Sequence, residues 1–484
     1  QMYQSNFING LETIPKNNND DLYNIIDPTN GQLIKKVVLD DIESMNLAIK
    51  NSVSTYKSWN KMAMHKRIQL LIKWYSWIEQ NKEKFIKVIS QENGKPESDA
   101  KGEFQRGLEV LQYAISLQPL SLGKTGQVNS SITVSSVKES LGVVTAICPF
   151  NFPFMIPMWS IPIAIVLGNV IIVKPSEKAP GSMALLAKGA VESGIPDGVI
   201  NVIQGGQKIV TGLIENKDIK AISFVGSTFI GKKIYDLATK NYKKVQCNMG
   251  AKNHVVITQT ADVDSAVNGI VGAAFGGCGQ RCMALSVAII VGKNDNFYNK
   301  LIEKTKQVNI EKDMGPLNTR EAKERINKYL NESVGNGSEI ILDRSDEIKN
   351  DGFYMGPVIV KTDIDSSIYQ NELFGPVLSV IYCETIEEAI QLINKNEYGN
   401  GTAIYSNLLD EITMFENEIE VGQIGINIPI PVPPPYFSWS SSKNSFIGNN
   451  YVYGPQSIDF YTKTKTIMKR SEIKKQDSLS MPTN

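Results

Sequence analysis

Two cysteines four positions apart carry the clearest chemical signal in the sequence. Cys278 and Cys282 lie in the run FGGCGQRCMALS (275–286), among three glycines. Arg281 precedes Cys282, and an adjacent positive charge favours the thiolate, which is the nucleophilic form of the side chain. A free cysteine can instead serve as a small buried apolar residue. Glycines beside it let the backbone come close to a bound molecule, so the segment predicts a nucleophilic site.

A predicted buried strand, NVIIVKPSE (169–177), delivers Lys174 and Glu177 to its carboxyl end. Ligands of open α/β sheets bind at that end. A carboxylate there can accept hydrogen bonds from ribose hydroxyls and would repel a ribose phosphate. A solvated Lys–Glu pair that closes the strand is the alternative interpretation.

A third segment, FVGSTFIGKK (224–233), nearly matches a phosphate-binding P-loop. Gly231 and Lys232 fit the end of that motif, but Lys233 stands where Ser or Thr is needed to hold magnesium. The P-loop interpretation therefore fails. What remains is a strand, a tight turn at Gly226 and a helix N-terminus, which is a suitable place for a phosphate or pyrophosphate.

Composition excludes several classes of protein. The 484 residues contain 50 Lys and Arg against 50 Asp and Glu, so bulk charge does not favour nucleic acid or a membrane surface. Five cysteines exclude a disulfide scaffold. His65 and His254 are the only histidines, so we expect no metal site and no Ser-His-Asp hydrolase. A local structural role is predicted for His254.

The elements that must position these residues follow an α/β pattern. Helical periodicity dominates from Asp41 to about Leu117, and strands alternate with helices from Ser131 onward. This rhythm predicts two consecutive α/β domains with parallel sheets. Residues 140–173 carry no charge but contain four prolines, so a membrane span is not expected. The stretch from Ser457 to Lys469 is predicted to be a strand followed by a polar tail.

The proline-rich segment IPIPVPPPYF (428–437) has two possible uses. Its PxxP spacing, Pro431 to Pro434, is found in SH3 ligands. It lacks flanking basic residues and lies in an apolar context, which favours a rigid loop lining a pocket.

Taken together, these motifs resemble the aldehyde dehydrogenase superfamily over nearly the whole chain. In order, the matching pieces are CPFNFP (148–153), KPSE (174–177), FVGSTFIG (224–231), NMGAK (248–252), GQRC (279–282) and ELFGPV (372–377). Within the superfamily the sequence is most similar to the methylmalonate-semialdehyde dehydrogenases, which are coenzyme A-acylating. That finer likeness rests on NMGAKNH, RCMALS, FQRGLEV (104–110) and INIPIPVPPPYFSW.

The resemblance implies a role for each matching residue. Cys282 is expected to be the catalytic thiol. Asn151 is expected to form the oxyanion hole with the backbone N–H of Cys282. The expected cofactor is NAD, with contacts at Phe150, Lys174, Glu177, Gly226, Ser227, Gly231, Glu372 and Phe374. Arg106 and Arg281 are candidates for binding a substrate carboxylate, although either arginine could instead form a structural salt bridge.

One departure from the superfamily pattern bears on the reaction. Most relatives have Glu at the first position of the motif that reads NMGAK here, and that Glu activates water to hydrolyse the thioacyl-enzyme. This sequence has Asn248, which cannot act as a base. The thioester is therefore expected to react with the thiol of coenzyme A. A hydrolytic dehydrogenase and a catalytically silent protein of the same fold are the alternatives.

The expected reaction is the NAD-dependent oxidation of malonate or methylmalonate semialdehyde. Cys282 would form a thiohemiacetal, hydride transfer to the nicotinamide would leave a thioacyl-enzyme, and loss of the β-carboxylate with acyl transfer to coenzyme A would give acetyl-CoA or propionyl-CoA.

The resemblance also implies an aldehyde dehydrogenase-like α/β fold with a small β element for oligomerisation. We expect a Rossmann-like NAD domain at 1–121 and 141–250, a catalytic α/β domain at 251–440, and an oligomerisation element with a C-terminal tail at 122–140 and 441–484. A homotetramer is expected. QMYQSNFING shows no targeting segment, and the expected compartment is mitochondrial for a eukaryotic source and cytoplasmic for a bacterial one.

Overall fold

A computed structural model describes residues 2–16, 21–472 and 479 of the chain. The helices are α1 (Ile42–Trp59), α2 (Met64–Gln80), α3 (Lys82–Asn93), α4 (Glu97–Ile115), α5 (Met155–Met158), α6 (Ile161–Val166), α7 (Gly181–Glu192), α8 (Gln207–Glu215), α9 (Thr228–Lys240), α10 (Val263–Phe275), α11 (Asp295–Lys306), α12 (Arg320–Ser333), α13 (Ser367–Gln370), α14 (Ile386–Lys395), α15 (Leu409–Glu418) and α16 (Pro455–Phe460).

The strands are β1 (Asn6–Ile8), β2 (Leu11–Thr13), β3 (Leu22–Ile26), β4 (Leu33–Val38), β5 (Lys124–Gln127), β6 (Ile132–Ser140), β7 (Val143–Ile147), β8 (Val170–Lys174), β9 (Ile200–Val202), β10 (Ile219–Val225), β11 (Lys244–Asn248), β12 (Asn253–Ile257), β13 (Leu285–Val291), β14 (Glu339–Asp343), β15 (Val358–Lys361), β16 (Val377–Cys383), β17 (Tyr398–Gly399), β18 (Gly401–Tyr405), β19 (Gln423–Ile426), β20 (Ser442–Lys443), β21 (Phe446–Ile447) and β22 (Thr462–Arg470).

The first large sheet has the strand order β2-β1-β9-β8-β7-β10-β11-β21. Its five central strands, from β9 to β11, are parallel. Strands β7 and β8 are apolar on both faces and fully buried, as expected for a parallel sheet covered by helices. Because these strands are parallel, their carboxyl ends form one edge of the sheet.

The second large sheet has the order β14-β15-β16-β13-β12-β18-β19, and all its neighbouring pairs except β14 with β15 are parallel. Its central strands β12 and β13 are likewise almost wholly buried and mostly apolar, apart from Asn253, His254 and Ser286. The predicted α/β class with two parallel sheets is confirmed.

A third, antiparallel sheet has the order β22-β6-β5 and joins distant parts of the chain. The strand predicted from Ser457 is wrong at its start, since α16 occupies Pro455–Phe460 before β22 begins. Pro455 takes the first helical position, where its missing N–H costs nothing, and Gly454 enters with φ 69°. Residues 473–478 and 480–484 of the predicted tail lie outside the described residues.

The uncharged stretch 140–173 folds into β7, the short helices α5 and α6, and β8, all within the core. Across the parts of the chain that the structure describes, no helix has the length and apolar character needed to cross a membrane.

Candidate active site

A cleft of about 870 Å³ opens at the carboxyl edge of the first sheet. Most of the residues predicted from the sequence line it: Phe150, Asn151, Lys174, Glu177, Gly226, Ser227, Cys282, Glu372 and Phe374. Gly231 is buried in α9, where an added Cβ would lie 2.6 Å from the side chain of Met249. Arg106 and Arg281 are not among the residues that line the cleft.

Residues 276–284 carry the candidate nucleophile Cys282 and are called the nucleophile loop. This loop leads directly into β13 of the second sheet, and Cys282 packs against the core cluster of the first sheet. Gly277, Cys278 and Gly279 all have left-handed backbones, with φ of 59°, 55° and 72°. A Cβ on Gly279 would lie 2.1 Å from the carbonyl oxygen of Gly375. Only glycine permits this approach, which brings the loop that carries Cys282 against the loop that carries Glu372.

The structure separates the two cysteines. Cys278 is fully buried in the apolar core, and its thiol donates to the carbonyl of Met355 at 3.5 Å. Cys282 lines the cleft, and its carbonyl accepts hydrogen bonds from the side-chain amides of Asn253 and Asn400 at 2.8 and 3.1 Å. This arrangement leaves Cys282 as the thiol that a bound molecule can reach.

Burial, reinforced by the charge of Glu372, raises the pKa of Cys282 to about 12. The backbone N–H groups of Cys282 and Met283 act in the opposite direction. The expectation that Arg281 favours the thiolate is wrong, because its guanidinium donates to Asp99 at 2.7 Å and is neutralised there. The thiol of the free protein is therefore protonated at neutral pH.

Asn151 follows β7 in the loop that leads to α5, and it is buried at the wall of the cleft. Its backbone carbonyl accepts a hydrogen bond from Lys95 at 2.8 Å. The backbone of this residue is thus fixed from the side opposite the cleft.

Asn248 is the last residue of β11 and is 5% exposed. Its backbone carbonyl accepts from the N–H of Gly226 at 3.0 Å. Its side-chain oxygen and nitrogen are both buried and make no hydrogen bond to any described residue. Such unsatisfied polar groups cost free energy, so the Asn248 side chain does not stabilise the described structure through hydrogen bonds of its own.

Glu372 is the carboxylate that acts on the thiol. Burial raises the pKa of its carboxyl to about 7. The hydrogen bond from the backbone N–H of Ala251 and the charges of Lys252 and Arg325 lower that pKa, but by less than burial raises it. Lys252 is buried, which lowers its pKa to about 7, and it donates to the carbonyls of Ile368 and Asn371 at 2.8 and 2.7 Å. Glu372 therefore changes charge near neutral pH.

The far part of the cleft has the character of a nucleotide site. Lys174 is buried and donates to the carbonyls of Pro175 and Gly205 at 2.6 and 2.9 Å, while Glu177 lies 3.7 Å from it and is partly exposed. Ser227 caps α9, accepting from the N–H of Ile230 at 3.4 Å. The Phe150 and Phe374 rings meet edge to face, 6.2 Å between centroids.

Three cations of the cleft were missed by sequence reasoning: Lys178, Lys233 and Arg325. Lys233 argues against the P-loop in the sequence, but it lies five positions after Thr228, within the first two turns of α9, where it can face a ligand. No local signal identifies Arg325, since α12 reaches the cleft only through the tertiary fold.

Arg106 lies on α4, half exposed, with Glu109 3.7 Å away. It lines a small hollow with Trp159, Tyr453 and the proline-rich segment, through Val432, Pro433 and Pro435. Burial raises the pKa of Tyr453, Arg106 lowers it, and the Cys282 thiolate raises it. Tyr453 is therefore within electrostatic reach of both Arg106 and Cys282.

The sequence model of one family, described as the aldehyde dehydrogenase family, matches residues 14–467. The chain belongs to the aldehyde dehydrogenase family. The resemblance to aldehyde dehydrogenases that the sequence motifs predict is therefore confirmed. This aldehyde dehydrogenase is 40% identical to the malonate-semialdehyde dehydrogenase of Pseudomonas aeruginosa over 476 residues, 96% of this chain and 95% of that one. It is also 40% identical to the human mitochondrial methylmalonate-semialdehyde/malonate-semialdehyde dehydrogenase [acylating] over 475 residues, 96% of this chain and 88% of that one.

Solved structures agree with the predicted fold of this aldehyde dehydrogenase. A methylmalonate-semialdehyde dehydrogenase from Oceanimonas doudoroffii matches with a TM-score of 0.94 and 37% identity, covering 97% of this chain and 98% of that chain. A structure from Sinorhizobium meliloti, described as a methylmalonate-semialdehyde dehydrogenase complexed with NAD, matches with a TM-score of 0.94, 36% identity and the same coverage.

The charge coupling between Glu372 and Cys282 predicts a distinctive pH dependence of thiol alkylation. In the free protein the iodoacetamide rate at Cys282 should rise about tenfold per pH unit above pH 8, where Glu372 is already ionised, since the thiol has a pKa of about 12. Glu372→Gln removes the negative charge that raises this pKa, so alkylation should be faster at pH 8. The difference should shrink at pH 6, where a carboxyl of pKa about 7 is mostly neutral.

Labelled peptides quantified by mass spectrometry measure these rates. Glu177→Gln, which removes the other carboxylate lining the cleft, is the matched control and should leave the rate unchanged. Equal rates for Glu372→Gln and the wild type at pH 8 would show that the carboxylate does not act on the thiol.

Proposed function

We propose that this aldehyde dehydrogenase oxidises malonate or methylmalonate semialdehyde with NAD and transfers the acyl group to coenzyme A. The names of its relatives in Pseudomonas aeruginosa and human, at 40% identity over nearly the whole chain, support the substrate class. The observation that carries the acylating half of the proposal is Asn248, a buried amide at the position where a hydrolytic relative needs a base.

The cleft suits NAD by its donor set. Lys178 and Lys233 supply positive charge beside the N-terminus of α9, which favours a pyrophosphate. The Glu177 carboxylate can accept hydrogen bonds from one ribose of NAD near the first sheet. The Glu372 carboxylate can accept hydrogen bonds from the other ribose, on the side of the cleft where Cys282 lies. Bound NAD supplies the hydride acceptor of the oxidation.

The residues of the chain perform the remaining steps. The Cys282 thiolate forms a bond to the aldehyde carbon, and the oxygen that gains negative charge is met by the Asn151 amide and the Cys282 backbone N–H. Loss of hydride from that carbon leaves a thioester on Cys282. When the β-carboxylate leaves as CO2, the carbon that keeps the electron pair takes up a proton from solvent. The thiolate of coenzyme A then attacks the thioester carbon, and the Cys282 sulfur departs with its electron pair.

Deacylation should depend on coenzyme A. Without it, stopped-flow mixing of protein, NAD and methylmalonate semialdehyde should give a fast NADH burst followed by slow turnover, because Asn248 cannot take a proton from water. Adding coenzyme A should raise the steady rate. Asn248→Glu should release more free acid, since general-base catalysis is typically worth about 10²–10⁴-fold.

The product assay uses chromatography of acyl-CoA and free acid, with Cys282→Ala as the control that gives no NADH and Cys278→Ala as one with a mild effect. Rapid steady turnover of the wild type to free acid without coenzyme A would overturn the acylating proposal in favour of hydrolysis. Absence of any NADH burst would favour a silent protein.

Arg106 is proposed to bind the substrate carboxylate, supported by its place in the hollow with Tyr453, and Arg281 is proposed as a second contact despite its ion pair with Asp99. Losing a charge-assisted hydrogen bond costs about 1.5–3 kcal/mol, so Arg106→Leu should lower kcat/KM for methylmalonate semialdehyde roughly tenfold or more. The same variant's kcat/KM for propionaldehyde, which has no carboxylate, should fall far less.

Lys101→Leu provides the matched control, because Lys101 is an equally exposed cation on the same helix, paired with Glu97. This variant should leave kcat/KM unchanged for both methylmalonate semialdehyde and propionaldehyde. Equal losses on the two aldehydes for Arg106→Leu would assign Arg106 a structural role.

We propose that residues 1–121 and 141–250 bind NAD and that residues 251–440 form the catalytic domain. We also propose a homotetramer that assembles through residues 122–140 and 441–484, and the sheet β22-β6-β5 supports it. Strand β22 is exposed along eight of its nine residues, including the apolar Ile467 and Met468. Sedimentation should give four times the monomer mass, and Ile467→Lys should lower the measured mass; a monomeric wild type would exclude this assembly.

The eukaryotic relatives are mitochondrial and the bacterial one is not so described, so we propose a mitochondrial location for a eukaryotic source and a cytoplasmic one for a bacterial source.

A further inference from the structure

A buried ion pair lies directly behind Asn151. Lys95 donates to Glu103 at 2.7 Å and to the backbone carbonyl of Asn151 at 2.8 Å. The two side chains are 8% and 0% exposed. Lys95 also lies over the Phe152 ring, 4.6 Å from its centroid.

The second carboxylate oxygen of Glu103 holds the other end of the same loop. It accepts from the backbone N–H groups of Phe154 and Met155 at 2.9 and 3.2 Å, where α5 begins. The pair therefore fixes the loop on both sides of its first turn, at Asn151 and at Phe154. Removing two charges from water is costly, and an apolar pair would often serve stability as well.

Helix α4 also reaches the nucleophile loop. Asp99 precedes Glu103 by one helical turn and accepts from Arg281, the residue before Cys282, at 2.7 Å. Residues four apart share a helix face. One face of α4 thus contacts the loop after β7 of the first sheet and the loop before β13 of the second.

We propose that Lys95 and Glu103 are positioning residues of the reaction, holding Asn151 where its side-chain amide meets the oxygen of the substrate bound to Cys282. The inference rests on the proposed function only in that Asn151 is the oxyanion donor and Cys282 the nucleophile. The pair touches no reacting atom and acts through the backbone of Asn151.

A double-mutant cycle on the NADH burst tests this coupling. Removing an oxyanion donor typically costs about 10²–10³-fold, so Asn151→Ala should slow the burst by that order. Glu103→Gln should slow it at least tenfold at saturating aldehyde, with NAD affinity unchanged by fluorescence titration. In the Asn151→Ala background, Glu103→Gln should add no more than about a twofold loss, since the group it positions is gone.

The matched control is Glu92→Gln. Glu92 is 3% exposed, pairs with Lys35 at 2.9 Å and accepts from the backbone N–H of Gly181 at 2.8 Å, as Glu103 does at its own helix start. Glu92→Gln should lower the melting temperature about as much as Glu103→Gln does, and it should change the rate of the NADH burst by less than about twofold. If Glu103→Gln yields no folded protein, Lys95→Met/Glu103→Gln, which leaves no buried charge unpaired, takes its place in the cycle.

Independent, multiplying losses in the double variant would overturn the inference, as would a Glu103→Gln burst no slower than that of Glu92→Gln. Failure of the proposed function shows separately, as a wild-type burst with propionaldehyde but none with methylmalonate semialdehyde. The cycle is then measured with propionaldehyde.

Discussion

The candidate site depends on one close backbone contact, the approach of Gly279 to the carbonyl of Gly375. An added Cβ would lie 2.1 Å from that oxygen, and Gly279 has φ 72°, so both distance and conformation require glycine. This contact brings the nucleophile loop and the Glu372 loop together at the amino ends of β13 and β16. The cleft forms because the carboxyl edge of the first sheet lies opposite them.

Burial at this meeting point has electrostatic consequences. The Cys282 thiol and the Glu372 carboxyl both have raised pKa values, about 12 and about 7, because each loses water on folding, and the charge of Glu372 raises the pKa of Cys282 further. The Cys282 thiol of the free protein is therefore protonated at neutral pH.

The sequence predicted those parts of the fold that local pattern controls. The short, mostly apolar and β-branched runs of β7 and β8 favour buried parallel strands, and the periodicity from 41 to 117 indicates the helices that the structure has as α1 to α4. It failed at Ser457, where a proline-initiated helical turn precedes β22, because a short polar-apolar run satisfies both a turn and a strand. Lys174 and Glu177 were placed at a strand end correctly, since the proline that follows ends the strand.

The sequence by itself determined the family, the reactive residue types and the absence of a base at Asn248, because these are facts of identity and order along the chain. Only the tertiary structure decided how Arg281 is used: Asp99, 182 positions away, neutralises it, so an adjacent cation does not activate Cys282. It likewise decided that Lys95 and Glu103 lie behind Asn151 and that Arg325 reaches the cleft. Coulomb energies and desolvation depend on distance and burial in space, and no spacing in the chain supplies either.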